Sequence, residues 1–294
     1  MSIELRLIGQ DKDLGGGFRV RRLLPSAQRQ SLGPFVFLDH FGPLAVQPGE
    51  LHDVRPHPHI GLATVSYLFD GALMHRDSLG SHQRIAPGAI NWMTAGRGIV
   101  HSERAPDDLR QQAYQQHGLQ LWAALPQAFE EVAPDFVHTP AADIPEVQVG
   151  AAQVRVLIGQ AFGQTSPVKT FSETVYLDIR LAAGASLELP PLADELAVYA
   201  VDAPLTLDGE PLEAKTLAVL TPGTSTLIAA SAPARLVVMG GEPLDGPRFL
   251  WWNFVSSRKE RIVQASEDWA AQAMGQIEGD GEFIPLPERR PLAP

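Results

Sequence analysis

Two short stretches hold the residues best suited to chemistry. Arg55-Pro-His-Pro-His59 places His57 and His59 two positions apart. On an extended segment, side chains at i and i+2 point to the same face, so both imidazoles can converge on one ion. Gly96-Arg-Gly-Ile-Val-His-Ser-Glu103 repeats the spacing with a carboxylate: His101 and Glu103 share one face, Val100 and Ser102 the other. Facing each other inside a small barrel, the two pairs would make a site of three imidazoles and one carboxylate. That set suits divalent iron, manganese, copper, nickel or zinc, with positions left open for water or substrate. Each pair alone has a plainer account, a proline-stiffened loop for the first and a His–Glu ion pair for the second. The ion pair does not explain why His57 and His59 also share a face.

The remaining histidines are less informative. All nine lie at or before His138, so imidazole chemistry belongs to the first half. His75, beside Arg76 and Asp77, reads as a surface residue. His52, His82, His117 and His138 fall in polar loops or strand edges, where exposure is expected. His40 in Leu38-Asp-His-Phe-Gly-Pro43 reads as a structural, cavity-lining residue. Phe41, Trp92 and Met93 are near the proposed ligands in sequence and are candidate walls for a flat apolar substrate, although Trp92 and Met93 cannot both face inward from one strand.

The elements that must position these side chains are short strands. The 294 residues are 45% hydrophobic and 19% charged, with 26 Gly and 25 Pro. So many turn formers in a core-competent chain favour an all-β architecture. Ile3–Ile8 and Phe18–Leu24, flanking Asp13-Leu-Gly-Gly-Gly17, read as a hairpin. Leu62–Phe69 and Ala72–His75 flank Asp70-Gly71 as another. Strands are also expected at Phe35–Phe41, Ala89–Thr94, Ile99–Glu103 and Gly118–Leu125, and eight more between Val154 and Gly240. One helix is expected over Arg258–Met274, capped by Ser256-Ser257, before a Pro-rich tail. Tyr67–Leu73 can be laid on Tyr199–Leu205, and Met93–Gly96 on Leu220–Gly223. This weak repeat suggests a duplicated barrel or sandwich, joined within Pro126–Gly150.

Composition excludes several classes. There is no Cys, hence no disulfide, thiolate nucleophile or Cys-based metal site. A formal net charge of -11 argues against a basic nucleic-acid-binding face. No apolar run approaches the ~18 residues of a membrane span, and Met1–Leu7 lacks a signal-like core, so the expected location is the cytoplasm.

Longer runs are specific enough to name a resemblance. L-D-H-F-G-P (38–43), R-P-H-P-H-I-G-L-A-T-V (55–65), H-R-D-S-L-G-S (75–81), N-W-M-T-A-G-R-G-I-V-H-S-E (91–103), G-L-Q-L-W (118–122) and W-N-F-V-S-S (252–257) resemble the pirin family of the cupin superfamily. The resemblance implies a bicupin, two jelly-roll-type β-barrels with a short C-terminal helix. It divides as residues 1–135, an N-terminal metal-binding domain, and 136–294, a metal-free domain carrying the helix. It implies one divalent metal, Fe(II) foremost, on His57, His59, His101 and Glu103. The general cupin pattern places its Glu soon after H-x-H, where this chain has Thr64; Glu103 supplies the carboxylate instead, as is usual for pirins. In the second half the repeat sets Leu189 and Pro191 opposite His57 and His59, and Ile228 and Ala230 opposite His101 and Glu103, none of them able to ligate through its side chain. The implied activity is of quercetin 2,3-dioxygenase type, on an aromatic enol or catechol with O2, with Glu103 also taking a substrate proton. The alternative is a non-enzymatic, metal-dependent regulatory protein with a protein partner.

Overall fold

The structure, a computed structural model, describes residues 2–13 and 18–288. Strands dominate it, with a single α-helix, Lys259–Ala270, among the described residues. Contacts group the chain into two compact units. One comprises Met1–Asp11, Arg21–Leu38 and Ala142–Pro243; the other comprises Lys12–Val20, Asp39–Ala141 and Leu244–Pro294. A single cut after residue 135 therefore does not describe the grouping, because the chain returns to the histidine-bearing unit after Pro243.

In the histidine-bearing unit, a four-stranded sheet runs in the order Val54–His59, Ile99–Arg104, Leu73–Asp77, His82–Ile85. A seven-stranded sheet runs Asp135–Thr139, Ile90–Thr94, Leu62–Asp70, Tyr114–Ala124, Phe35–Val46, Arg19–Leu24, Gln10–Asp13, its first four strands lying wholly in this unit. The other unit repeats this plan. Its four-stranded sheet is Ser186–Leu189, Thr226–Ala229, Leu205–Leu207, Glu210–Leu212, and its larger sheet is Ile3–Ile8, Thr216–Leu220, Glu195–Ala200, Ala234–Gly241, Thr174–Leu181, Ala152–Ile158, Glu146–Val149. The landmark tyrosines of the sequence repeat, Tyr67 and Tyr199, fall on equivalent strands, and both are fully buried.

The pairing also corrects the repeat alignment by two residues. His101 lies directly opposite His57, and Ile228 lies opposite Leu187. The equivalents of His57 and His59 are thus Leu187 and Leu189, not Leu189 and Pro191. Leu187, Leu189, Ile228 and Ala230 are all buried in one aliphatic cluster with residues such as Val198 and Val238.

Three local expectations also change. Asp70-Gly71 turns the chain, but Leu62–Asp70 and Leu73–Asp77 lie in different sheets and do not pair as the expected hairpin. Ile3–Ile8 does not form a hairpin with the strand after Gly17; it pairs with Thr216–Leu220, with Leu7 opposite Leu217. Alternation fixes which face a strand buries, not which neighbour completes its ladder. The Leu14–Gly17 part of the expected turn lies outside the described residues. The helix begins at Lys259, and its N-cap, Arg258, makes no side-chain cap bond. The Ser256 and Ser257 hydroxyls instead donate to Glu130, while the Arg258 N–H donates back to Ser256 Oγ. The helix also belongs to the histidine-bearing unit rather than to the C-terminal half. Its Ile262, Ala265 and Trp269 pack on Ile60, Val100 and Phe254. That cluster lies behind the two strands that carry the three histidines.

Candidate metal centre

Val54–His59 and Ile99–Arg104 are antiparallel neighbours with His101 directly opposite His57, and directly opposed side chains share a face. Alternation adds His59 to that face. The turn leaving His59 is held by Gly61, with φ +67° and a position where a Cβ would lie 2.0 Å from the Val255 carbonyl oxygen. Only a glycine fits there. Val255 follows Asn253, whose carbonyl reaches His59, so the close approach at Gly61 brings the 252–257 segment to the site.

Ligand atoms of His57, His59 and His101 all lie within 4.8 Å of one another, and all three residues are buried. Their other ring nitrogens are occupied. His57 Nδ1–H donates to the Arg55 carbonyl at 2.8 Å and His59 Nδ1–H to the Asn253 carbonyl at 3.1 Å. A neutral imidazole that donates from Nδ1 presents its lone pair at Nε2. His59 Nε2 stands 3.1 Å from His101 Nε2, close enough for one cation to bridge two lone pairs. These residues fit a metal ion: the donors converge, and their tautomers are set from outside, as in established His–metal sites.

Burial works to the same end. Desolvation lowers the His57 pKa from 6.5 to about 4, outweighing the bond to Arg55. His59 and His101 are driven well below the usual histidine range, first by desolvation and then by the neighbouring imidazoles. The cup is therefore neutral at pH 7, the form a metal requires.

Glu103 does not join the three-histidine group. The ladder between the two strands shifts after His101, so that Glu103 faces Val54 instead of continuing in register. The extra residue sits on the Val54–His59 strand, between Val54 and His57, while Glu103 keeps regular register with His75 on its other side. The Glu103 carboxylate accepts a hydrogen bond from Ser66 Oγ at 3.1 Å. Its pKa is raised by burial, against the opposing effects of His75 and the Ser66 bond.

The three sequence candidates for substrate walls are separated. Met93 lies opposite Thr64, which in turn lies opposite Trp122, so these three share a face. Trp122 meets His59 edge-on with ring centroids 5.1 Å apart; nothing in its own stretch of sequence marks it for the site. Trp92 points the other way and donates from Nε1 to Thr94 Oγ1. Phe41 packs instead with Val20, Leu68 and Ile85.

Two histidines are corrected from exposed to buried. His75 is 2% exposed and pairs with Asp77; the i, i+2 spacing of His75 and Asp77 on a strand is the signal that points to it. His117 is buried against His40, with their Nε2 atoms 2.8 Å apart. His138 is half-buried and bonds Asn91 Oδ1, His52 is half-buried, and His82 is exposed as expected.

Two seven-stranded sheets, each with a four-stranded companion, one of these companions carrying a buried histidine cup, define a bicupin. Residues 17–123 match the Pirin family, and residues 176–275 match the Pirin C-terminal cupin domain. The chain is 46% identical over 290 residues to a pirin-like protein of Caulobacter vibrioides, covering 97% of this chain and 100% of the relative. The crystal structure of a quercetin 2,3-dioxygenase from Acinetobacter baumannii is similar to it at 34% identity and a TM-score of 0.91, covering 99% of this chain and 97% of that one. A bacterial pirin from Escherichia coli in complex with nickel(II) shares the fold, with a TM-score of 0.64 at 16% identity over 82% of this chain and 99% of that one. The chain belongs to the pirin family. Among its described residues no helix is long and apolar enough to cross a membrane.

Proposed function

We propose that this protein is an iron-dependent dioxygenase of the quercetin 2,3-dioxygenase type, with one Fe(II) held by His57, His59 and His101 and with Glu103 as the fourth, movable group. The observation that carries this reading is the convergence of three neutral, tautomer-fixed imidazoles in one buried cup. When bound, a divalent ion acidifies a coordinated hydroxyl and supports reaction with dioxygen. Glu103 takes the proton that a flavonol or related enol or catechol gives up. Its carboxylate is suited to this because burial raises its pKa toward the working range of a general base. Ser66 Oγ fixes one carboxylate oxygen and leaves the other free to turn toward the substrate. Trp122 and Met93 supply an apolar wall beside His59, and buried neighbours keep bulk water away from the proton being moved. The name of the A. baumannii neighbour supports the same chemistry.

The test combines metal analysis of the purified protein with oxygen uptake and carbon monoxide release on quercetin. About one iron per chain with turnover is the expected result. Metal without turnover on quercetin or other enols and catechols refutes the enzymatic reading. It would favour the second reading, a metal-dependent regulatory protein with a protein partner, which the deep burial of the cup also suits.

A further inference from the structure

The segment His75-Arg-Asp-Ser-Leu-Gly-Ser81 ligates nothing in the proposed site, yet it is built closely against it. His75 lies beside His101, with their Nδ1 atoms 3.4 Å apart. On its far side His75 Nε2 meets Asp77 Oδ2 at 2.9 Å. The His75 ring stacks on Phe136 at 4.1 Å between centroids and an interplanar angle of 9°. Asp77 is itself pinned: its Oδ1 accepts the N–H groups of Leu79 and Ser81 at 2.9 and 3.0 Å. The turn is then tied to the His101 strand, where Ser78 N–H donates to the Val100 carbonyl and Val100 N–H donates to Ser78 Oγ.

The direction of each bond follows from the ends of the chain. A carboxylate only accepts, so the proton between Asp77 and His75 sits on His75 Nε2. A neutral His75 then offers a lone pair at Nδ1. A His101 that binds metal through Nε2 must carry its proton on Nδ1, and His75 Nδ1 is the acceptor beside it. The cup's other two histidines donate to backbone carbonyls; His101 alone is met by a side chain, which can be changed by substitution.

We propose that Asp77 and His75 form a positioning relay, Asp77–His75–His101, which fixes the His101 tautomer and ring orientation so that its Nε2 lone pair points into the cup. The relay rests on the metal-centre reading of the same site and adds two residues to it. His75 and Asp77 are positioning residues, not ligands. Losing such a partner weakens metal binding by about 10–100-fold.

Asp77→Asn gives the sharper perturbation. Because Oδ1 must keep accepting two backbone N–H groups, the amide carbonyl takes that place and the NH2 turns toward His75 Nε2. His75 must then carry its proton on Nδ1, where it confronts the Nδ1–H of a metal-bound His101. His75→Phe keeps the stack on Phe136 and removes the acceptor.

The experiment measures zinc(II) dissociation constants by chelator competition for the wild type, Asp77→Asn, His75→Phe and the double variant. Apoprotein melting temperatures serve as the control for folding. Each single variant is expected to bind about 10–100-fold more weakly, and the double variant no more weakly than His75→Phe, because Asp77 acts through His75. Effects that add in the double variant would instead mean that Asp77 and His75 act on the centre independently, which the relay forbids. On the zinc-loaded wild type, a nitrogen–nitrogen coupling across the bond between His101 Nδ1 and His75 Nδ1 should be seen by NMR, a readout that needs no variant to fold. Tight zinc binding by both single variants, or no such coupling, overturns the relay while leaving the centre standing. A wild type that takes up no zinc, iron or nickel overturns the centre and the relay together.

Discussion

If the cup is held neutral by burial, acid should cost this protein stability in a window set by its histidines. His57 has a folded pKa of about 4 against 6.5 when unfolded. Between those values the unfolded chain binds the extra proton and the folded chain does not, so stability falls as pH drops from 6.5 toward 4 and is flat below. Between pH 7.5 and pH 4.5 this one group should cost about 2.5 kcal/mol, at 1.36 kcal/mol per pKa unit. For a unit of this size that corresponds to about 5–10 °C in Tm. The assay is calorimetry of metal-free protein in a chelator, at both pH values, for the wild type and His57→Gln. Glutamine can keep the hydrogen bond to the Arg55 carbonyl but has no proton to take up, so the variant should lose about 5–10 °C less on acidification. The lowered carboxyls, Asp77 among them, titrate below 3.8 and act equally on both proteins. Parallel losses in the two proteins would refute the claim that burial keeps His57 neutral.

Two other substitutions separate the site from its scaffold. His101→Ala should reduce bound metal from about one per chain to almost none, with the far-ultraviolet circular dichroism unchanged, because the surrounding strands are held by apolar neighbours such as Ile99 and Val100. Glu130→Gln should destabilise the histidine-bearing unit by about 3 kcal/mol, measured as a fall in Tm. Glu130 Oε1 lies 2.9 Å from the buried Arg248 Nε, a close charge contact without a well-aligned hydrogen bond, and the same carboxylate holds Ser256 and Ser257.

Period and turn chemistry are legible in the sequence because they act locally. Two histidines separated by one residue on a strand share a face whatever else the fold does, so spacing alone pairs His57 with His59. Asp70-Gly71 likewise marks a real turn, with Gly71 at φ +85°, although the strands it joins belong to different sheets. The misses lie where a distant partner decides. Nothing local to Ile3–Ile8 names Thr216–Leu220 as its neighbour. Nothing local to Ser256 and Ser257 shows that Glu130, far away in sequence, takes the hydroxyls that would otherwise cap the helix. Alternation places Glu103 beside His101, but sharing a face does not by itself bring its carboxylate into the three-histidine group; Glu103 is held by Ser66, from another sheet. A histidine flanked by Arg and Asp looks solvated, which is why His75 reads as exposed. Its burial depends on Asp77 and Phe136 closing over it, and Phe136 comes from another sheet.

The two units show what the candidate metal centre demands of a shared scaffold. In one, the positions equivalent to His57, His59, His101 and Glu103 are Leu187, Leu189, Ile228 and Ala230, which simply add to an aliphatic core. In the other, polar groups occupy the same places, and each buried one must be satisfied or it costs stability. The chain meets that cost with backbone carbonyls for His57 and His59, a hydroxyl for Glu103 and the Asp77–His75 pair for His101. The inward-facing ring nitrogens are what remain, and His59 and His101 hold theirs 3.1 Å apart. A set of buried lone pairs without a shared cation has no advantage over the leucines that fill the other unit, so the arrangement makes physical sense as a holder for a metal ion.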